Sequence, residues 1–235
     1  MNILMLMMGG KGTRFGADIP KQYITIHNKP VFYYIIEKYL KCPDIHGVVL
    51  VSHEDWISFV KEQLHILAPS IPCHVVPGGQ TRSESVLNGL KEAMELGKGT
   101  TQNVVLIHDA THPYVDIPTL IPIIEAVKEY GGATLGGCQY DTMYQTSYDG
   151  FIEDVIPRQQ IFSGASPEAF RLEEIYSIYC NASKEELDKM TSAGALALSH
   201  KIPMKVIPTN LLNLKITHGP DMKLFELLLH YFFTE

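Results

Sequence analysis

The chain has 235 residues, of which 46% are hydrophobic and 19% are charged. This composition argues against intrinsic disorder, and the length suits one well-packed α/β domain that covers residues 1–235. Lysine and arginine number 19 against 26 aspartate and glutamate residues, a formal net charge of −7. A mildly acidic chain has no large basic face, which argues against nucleic acid as the main partner but not against a small anionic substrate.

The four cysteines are scattered without a C-x-x-C pair, so neither a zinc site nor a disulfide framework is expected. The apolar opening, residues 1–8, ends at Gly9 and Gly10. It is too short to span a membrane, and it lacks a basic n-region and a small-residue cleavage site. We therefore expect a buried first strand, no membrane insertion and a reduced, cytoplasmic setting.

Short apolar runs alternate with longer helical patterns, which is typical of βαβ units and a mostly parallel sheet. Strands are predicted at 3–7, 48–52, 74–76, 104–108, 133–138 and 205–207. Helices are predicted at 31–40, 83–96, 118–130 and 221–233. In an open parallel sheet the ligand lies beyond the carboxyl ends of the strands, so the functional residues should follow each strand.

The segment 139–162 has little regular periodicity and carries several aromatic and polar residues. An excursion of this length from a compact α/β core is more typical of a hairpin-like arm than of a slack loop. Such an arm is long enough to reach across a dimer, although the pattern alone does not establish one.

A first glycine cluster, Gly9, Gly10 and Gly12, follows the first predicted strand, and Arg14 and Lys21 come after it. Glycines let backbone N–H groups approach phosphate oxygens because no Cβ intervenes. The two cations leave enough loop between them to wrap a triphosphate from two sides. The spacing is neither that of a Walker A loop nor that of a dinucleotide-binding loop, and an ordinary glycine-rich turn is the alternative.

A second glycine pair, Gly78 and Gly79, lies at a predicted strand-to-helix junction. Two glycines and a helix N-terminus offer backbone donors for a base or a phosphate. Ser83 is equally well explained as the helix cap. Ser85, one turn into the helix, is the better ligand candidate.

Asp109 follows the predicted strand 104–108, where it could ligate Mg²⁺ or orient a substrate. A turn-forming aspartate is the alternative, and His112 taken alone would more often be structural. Lys215 follows another apolar run. An isolated lysine there usually lies on a solvated face, but at a strand end it is a candidate for a further phosphate-directed cation.

These segments, in this order, resemble the cytidylyltransferases of sugar-alcohol phosphates over about residues 3–228. The family includes the methylerythritol phosphate cytidylyltransferase of isoprenoid synthesis and the ribitol 5-phosphate cytidylyltransferase of teichoic acid and capsule synthesis. The resemblance implies a Rossmann-like, doubly wound α/β domain of the nucleotide-diphospho-sugar transferase type, with a protruding arm. It also implies CTP, Mg²⁺ or another divalent cation, a homodimer whose arms complete each other's sites, and release of pyrophosphate.

The resemblance further implies roles for single residues. The catalytic charges would be those of Arg14, Lys21 and Lys215. The nucleotide would be bound by Met8, Gly9, Gly10, Gly12, Gly79, Ser85 and Asp109. The acceptor would be bound by Asp109, His112, Thr142, Arg158 and Thr191, with the two arm residues acting on the neighbouring subunit. Asp109 would also ligate the metal.

The chain departs from the family pattern mostly on the acceptor side. The family usually has alanine at the position of Met8, arginine at His112 and lysine at Tyr144. It usually has Thr-Asp-Asp where this chain has Thr191-Ser192-Ala193, and Gln-Thr-Pro-Gln where this chain has Ala165-Ser166-Pro167-Glu168. The first glycine loop keeps the pattern, so the reaction class is better determined than the acceptor.

Segments 52–56 and 183–187 look more like the ribitol branch, which favours D-ribitol 5-phosphate as the acceptor and CDP-ribitol as the product. 2-C-methyl-D-erythritol 4-phosphate is the alternative acceptor. The altered acceptor positions also leave open a catalytically impaired, nucleotide-binding homologue with a regulatory or assembly role. A glycosyltransferase on a similar fold would need a D-x-D metal motif, which residues 108–110 do not supply.

Overall fold

The computed structural model describes residues 1–10 and 19–233. The strands are β1 (Asn2–Met8), β2 (Thr25–Ile26), β3 (Lys29–Pro30), β4 (Gly47–Ser52), β5 (Cys73–Pro77), β6 (Val104–Asp109), β7 (Gly132–Cys138), β8 (Met143–Thr146), β9 (Ile152–Ile156), β10 (Phe162–Arg171) and β11 (Met204–Thr209). The helices are α1 (Val31–Tyr39), α2 (Ile57–Leu67), α3 (Arg82–Leu96), α4 (Ile117–Tyr130), α5 (Leu172–Asn181), α6 (Lys184–Lys189), α7 (Ala193–Ser199) and α8 (Gly219–Phe233). Every strand and helix predicted from the sequence is present, and no end differs from its predicted position by more than two residues.

In the described part of the chain, seven strands form one sheet in the order β11–β7–β10–β6–β1–β4–β5. Neighbouring strands from β6 to β5 are parallel, and β11 is parallel to β7. Strand β10 is antiparallel to both of its neighbours. The predicted α/β fold with a mostly parallel sheet is therefore confirmed.

Alternate residues of the central strand β1 face opposite sides of the sheet. Leu4 and Leu6 pack in a buried cluster with residues of α1, α2 and α4. Ile3 and Met5 pack in a second cluster with residues of α3, α5 and α7. Burial of each such side chain contributes about 1.5–3 kcal/mol, so packing on both faces fixes β1 in the interior of the sheet, between β6 and β4. The carboxyl ends of the parallel strands then gather at one edge.

Helix α8 closes a third buried cluster. The Phe225 ring lies 5.7 Å from that of Tyr34 and 5.9 Å from that of Tyr114, between centroids. Ile216, just before α8, is buried in the same cluster, and its N–H donates to the carbonyl of Thr111 at 2.8 Å. The segment that carries Lys215 is thereby held beside the loop that follows β6.

Strand β10 and helices α2, α5, α6 and α7 were not predicted from the sequence. The β10 segment contains Gly164 and Pro167, residues that weaken a strand, and sequence reasoning placed its first residue at the end of the arm. The structure accommodates them with a shift in register between Ala165 and Glu168.

Strands β8 and β9 pair as a separate antiparallel hairpin within residues 139–162. The hairpin-like arm is therefore confirmed. Large exposed side chains lie along it, namely Tyr140, Tyr144, Tyr148, Phe151, Ile152 and Val155. Because these side chains are exposed, the arm has no packed apolar face of its own. A lone two-stranded hairpin of this kind is only marginally stable in water.

Among the described residues, none of the helices combines the length and the apolar character needed to cross a membrane.

Candidate active site

Two glycine loops meet above the carboxyl end of β4. A Cβ added to Gly9 would lie 3.6 Å from the Cα of Gly78 and 3.4 Å from the Oγ of Ser85. A Cβ added to Gly78 would lie 3.0 Å from the same Oγ. Side chains at these two positions would crowd the serine, so glycine permits the close approach of the two loops.

At the end of β1 the carbonyls of Met8 and Gly10 are hydrogen-bonded, whereas the N–H groups of Gly9 and Gly10 have no acceptor among the described residues. Nε2 of Gln22 donates to the carbonyls of Met8 and Gly10 at 2.7 and 2.8 Å, and the Tyr23 hydroxyl also donates to the Met8 carbonyl at 2.9 Å. Within the described residues, the N–H groups of Gly9 and Gly10 donate to no protein acceptor. Open N–H groups beside glycines are suited to binding an anion.

Gln22 is a functional position that sequence reasoning missed. From the sequence, only its neighbour Lys21 was assigned a role. The side chain of Gln22 is 3% exposed, and a buried amide must find hydrogen-bond partners, which the carbonyls of Met8 and Gly10 supply. Because that burial comes from tertiary packing, no signal in the sequence marked the position.

The expectation that Met8 faces a nucleotide is corrected by the structure. Its side chain is 1% exposed and packs in the core cluster with α1 and α2. Because side chains alternate along a strand, Met8 shares the face of Leu4 and Leu6. Gly12 and Arg14 lie outside the described residues, so their roles stay predictions.

Lys21 and Lys215 are brought together. Lys21 opens a short 3-10 turn, Lys21–Tyr23, and its ammonium donates to the carbonyl of Ile216. Ile216 is the residue after Lys215 and is pinned by its own bond to Thr111. Segments that follow β1, β6 and β11 thus meet at one point, as predicted for residues beyond parallel strand ends.

Asp109 lies between two cations. Its Oδ1 is 3.1 Å from Nη2 of Arg82, and its Oδ2 is 3.6 Å from Nζ of Lys215. Burial opposes ionisation of the carboxyl, but Arg82 and Lys215 outweigh that cost, so the pKa of Asp109 lies below its usual value. Asp109 is therefore an ionised carboxylate at neutral pH.

Arg82 is a second position that was missed. From the sequence, only its neighbours Gly79, Ser83 and Ser85 were assigned roles. Its place at the start of α3, directly after the glycine loop, was the available signal, because the start of that helix faces the carboxyl edge of the sheet.

His108 is fully buried at the end of β6. Its Nε2 donates to the carbonyl of His112 at 2.7 Å, so its Nδ1 accepts from the Tyr39 hydroxyl at 2.9 Å. Burial lowers the pKa of His108 to about 4. The imidazole is therefore neutral and serves to hold the loop that carries His112.

His112 takes the position where the family usually has arginine. Its Nδ1 lies 2.9 Å from Oγ of Ser166, and that hydroxyl also accepts from the N–H of Asp109 at 3.3 Å. Burial, together with the nearby His108 and Lys215, lowers the pKa of His112 to about 4. His112 thus offers hydrogen bonds at neutral pH but no permanent charge.

The start of α3 is capped by Thr81, and the suggestion of a Ser83 cap is wrong. The Thr81 hydroxyl accepts from the N–H of Glu84, and the Glu84 carboxylate accepts from the N–H of Thr81, which is a capping box. The Ser83 hydroxyl instead donates to the carbonyl of Leu187 at 3.3 Å. Thr81 fits the cap because it directly precedes the first helical residue.

Ser85 shapes the second glycine loop. Its hydroxyl accepts from the N–H of Gly79 and donates to the carbonyl of Thr81, both at 2.9 Å. The side chain is buried among these partners. In the chain alone, the predicted nucleotide ligands Gly79 and Ser85 are bonded to each other.

The remaining predicted acceptor residues lie apart from this cluster. Thr142 and Arg158 are exposed on the arm, where Nη1 of Arg158 donates to the carbonyl of Tyr140 at 2.6 Å. Thr191 is exposed between α6 and α7. Across residues 1–10 and 19–233, no hydrogen bond or ion pair joins these three side chains to Asp109.

The metal-ligating side chains at this site suit a magnesium ion that is bound mainly by the phosphates of a substrate. No group of three or more His, Cys, Asp or Glu side chains in the described chain is arranged to hold a metal. Mg²⁺ commonly takes one or two protein carboxylates and completes its shell with phosphates and water. Asp109 can supply one such ligand.

Glycine loops at the carboxyl edge of a doubly wound sheet, with Lys21 and Lys215 on neighbouring segments of that edge, are the features of a nucleotide-binding enzyme. The family model described as "IspD: 2-C-methyl-D-erythritol 4-phosphate cytidylyltransferase" matches residues 3–231. The chain therefore belongs to this family, and it is a nucleotidyltransferase that uses CTP.

Individual relatives agree with the family over almost the whole chain. A 2-C-methyl-D-erythritol 4-phosphate cytidylyltransferase of Clostridium acetobutylicum is 32% identical over 230 residues, 97% of each chain. A ribitol-5-phosphate cytidylyltransferase of Vibrio parahaemolyticus is 29% identical over 227 residues, 96% of this chain and 94% of the relative. The crystal structure of 4-diphosphocytidyl-2C-methyl-D-erythritol synthase from Anaerococcus prevotii matches with a TM-score of 0.81 at 21% identity, covering 97% and 96% of the two chains. That structural match supports the fold.

Proposed function

We propose that this chain transfers CMP from CTP to an alditol phosphate, with D-ribitol 5-phosphate as the acceptor, and releases pyrophosphate. The observation that carries the proposal is that Lys21 reaches the carbonyl of Ile216, next to Lys215, while its neighbour Gln22 binds the carbonyls of Met8 and Gly10. Open amides and two ammonium groups on one edge suit a triphosphate.

The reaction is an in-line displacement. A phosphate oxygen of the acceptor attacks the α-phosphorus of CTP, the bond to the bridging oxygen breaks, and pyrophosphate leaves with its electron pair. The attacking oxygen is already ionised near neutral pH, so no general base is needed. The site has to hold two anions together and to neutralise the charge that develops.

Each residue then has a role in binding or charge neutralisation. Lys21 and Lys215 stabilise the α-phosphoryl oxygens and the leaving group, and Arg14 is a predicted third cation. Mg²⁺, held by Asp109 and the triphosphate, would neutralise further charge when bound. The loop of Gly79 and Ser85 would contact the cytidine.

The acceptor side supports a hydroxyl-rich substrate. His112 and Ser166 present uncharged hydrogen-bonding groups 2.9 Å apart, where the family usually has a permanent positive charge at His112. Uncharged donors and acceptors suit the unbranched, fully hydroxylated chain of ribitol phosphate. The second candidate acceptor is 2-C-methyl-D-erythritol 4-phosphate, which the family model and the C. acetobutylicum relative favour.

The segments that favoured ribitol in the sequence contribute to the structure itself. The Ser52 hydroxyl lies 2.8 Å from that of Tyr23, and the Trp56 ring stacks on Tyr23 at 4.6 Å between centroids. Ser183 caps α6. Since these roles are structural, the acceptor proposal depends on His112 and Ser166.

We also propose a homodimer in which the arm of one copy completes the acceptor site of the other. The arm's large exposed side chains support this, as does the separation of Thr142 and Arg158 from Asp109 in a single chain. In the dimer these two side chains would contact the acceptor phosphate bound by the second copy.

Pyrophosphate release with CTP and Mg²⁺ tests the proposal, with ribitol 5-phosphate and methylerythritol 4-phosphate supplied separately. We expect release with ribitol 5-phosphate. Release with methylerythritol 4-phosphate alone would transfer the assignment to the second candidate. CTP binding in calorimetry without release on either acceptor would instead indicate a nucleotide-binding homologue with a regulatory or assembly role.

A further inference from the structure

The two cations on Asp109 are held unequally. Nη2 of Arg82 is 3.1 Å from Oδ1 and forms a hydrogen bond with it. Nζ of Lys215 is 3.6 Å from Oδ2, an ion pair longer than a hydrogen bond. The carboxylate therefore binds Arg82 directly and Lys215 only loosely.

This asymmetry affects what Lys215 can do. A carboxylate next to an ammonium competes with any phosphate for that ammonium. A second cation on the carboxylate weakens this competition, because the charge on Asp109 is then shared. Lys215 is half exposed, so its head group is accessible to a ligand.

We propose that Arg82 is a positioning residue: by holding Oδ1 of Asp109, it keeps Lys215 available to the phosphates of the substrate. The inference rests on the proposed function, because those phosphates are taken to be the ones of CTP. Arg82 is fixed for this role at the first residue of α3, directly after the Thr81 capping box.

A double-mutant cycle tests whether Arg82 acts through Asp109. CTP affinity is measured by calorimetry in EDTA, so that no metal contributes, for the wild type, Arg82→Gln, Asp109→Asn and the double variant. We expect Arg82→Gln alone to weaken binding about fivefold. In the Asp109→Asn background the same change should alter affinity less than about twofold, because no carboxylate remains to hold Lys215.

An equal loss in both backgrounds would overturn the inference, since Arg82 would then contact the phosphates or act by its charge alone. A wild-type chain that binds CTP in neither EDTA nor Mg²⁺ would overturn the proposed function and this inference with it, and a chain that binds CTP only with Mg²⁺ is put through the same cycle in Mg²⁺. An additive cycle in a chain that binds CTP would overturn only the inference. The two failures are therefore distinguishable.

Two further variants separate positioning from folding. Arg82→Lys keeps a cation for Oδ1 and should bind CTP within about twofold of the wild type. A loss of about fivefold or more in Arg82→Lys would overturn the inference, and this comparison with the wild type still holds if thermal melting shows that Arg82→Gln is unfolded. Arg171→Gln is the control, because it removes an equal charge that pairs with Glu174 at 3.0 Å, and it should leave affinity unchanged.

Discussion

The side chain of Lys21 connects two distant parts of the chain at the candidate site. Its ammonium donates to the carbonyl of Ile216, next to Lys215, while its neighbours Gln22 and Tyr23 anchor the turn to the end of β1. The turn therefore does not depend on Lys21 for its position. A substitution at Lys21 can thus remove the positive charge without disrupting the fold of the turn.

Lys21→Ala should lower kcat by about 10²–10³-fold with folding retained, because a preorganised charge is lost from the transition state. Pyrophosphate release at saturating CTP measures the effect, and circular dichroism checks the fold. Lys29→Ala is a matched control, since Lys29 pairs with Glu37 at 2.9 Å away from the glycine loops. Near-normal turnover of Lys21→Ala would contradict the assignment.

His108 should make stability depend on pH. Its folded pKa of about 4 lies below the unfolded value of about 6.5, so the unfolded state binds a proton first as the pH falls. The stabilisation is complete above pH 6.5 and is lost as the pH falls towards 4, by about 3 kcal/mol in total.

Urea unfolding between pH 7.5 and 4.5 measures this dependence. His108→Gln cannot titrate, so its free energy of unfolding should fall less steeply over the same range, even if the variant is less stable throughout. If the free energy of unfolding fell equally steeply with pH in the wild type and in His108→Gln, the pKa of His108 would not be lowered by burial.

At the scale of elements, the start of α3 sets the shape of the second glycine loop. The capping box at Thr81 fixes the first turn, and Ser85 links that turn to Gly79. The same turn presents Arg82 to Asp109. A change in the cap should therefore affect both stability and ligand binding.

Thr81→Ala should lower the free energy of unfolding by about 1 kcal/mol and raise KM for CTP, because an N-terminal N–H loses its partner and the loop loosens. Ser83→Ala, two residues away, is the matched control and should cost less than about 0.5 kcal/mol. Urea titration measures the free energy of unfolding of both variants. Equal losses in the two variants would contradict the assignment of Thr81 as the cap.

At the scale of the whole molecule, the arm exposes large apolar side chains. Tyr144 and Val155 are paired across β8 and β9, and they are 53% and 54% exposed. Adjacent exposed apolar side chains on a two-stranded hairpin are expected to be buried against another protein surface in the functional oligomer. The proposed homodimer supplies that cover.

Tyr144→Glu with Val155→Glu should convert a dimer to a monomer in analytical ultracentrifugation and should lower pyrophosphate release, because the arm would no longer reach the second site. Leu227→Glu with Tyr231→Glu is the control pair on α8, where both residues are exposed, and it should leave the dimer intact. A wild-type chain that sediments as a monomer would contradict the dimer proposal.

Prediction from the sequence succeeded where local pattern decides structure. Periodic apolar residues marked the central strands and four helices, and the glycines of the loop after β1 were recognised. Prediction failed at β10, because Gly164 and Pro167 are unfavourable in a strand and this strand is stabilised by pairing with β6 and β7. It also misjudged Met8, whose side chain packs in the core, and Ser83, which lies inside the helix that Thr81 caps.

The sequence by itself determined an α/β chain whose functional residues follow its strands, because periodicity and glycine placement are local properties. Only the tertiary structure decided which of those residues meet. Arg82 and Lys215 lie on either side of Asp109 in the chain and come together on one carboxylate, and Ser166 reaches His112 only because β10 inserts beside β6. Such contacts join distant segments, and packing of the whole sheet is what brings them within reach.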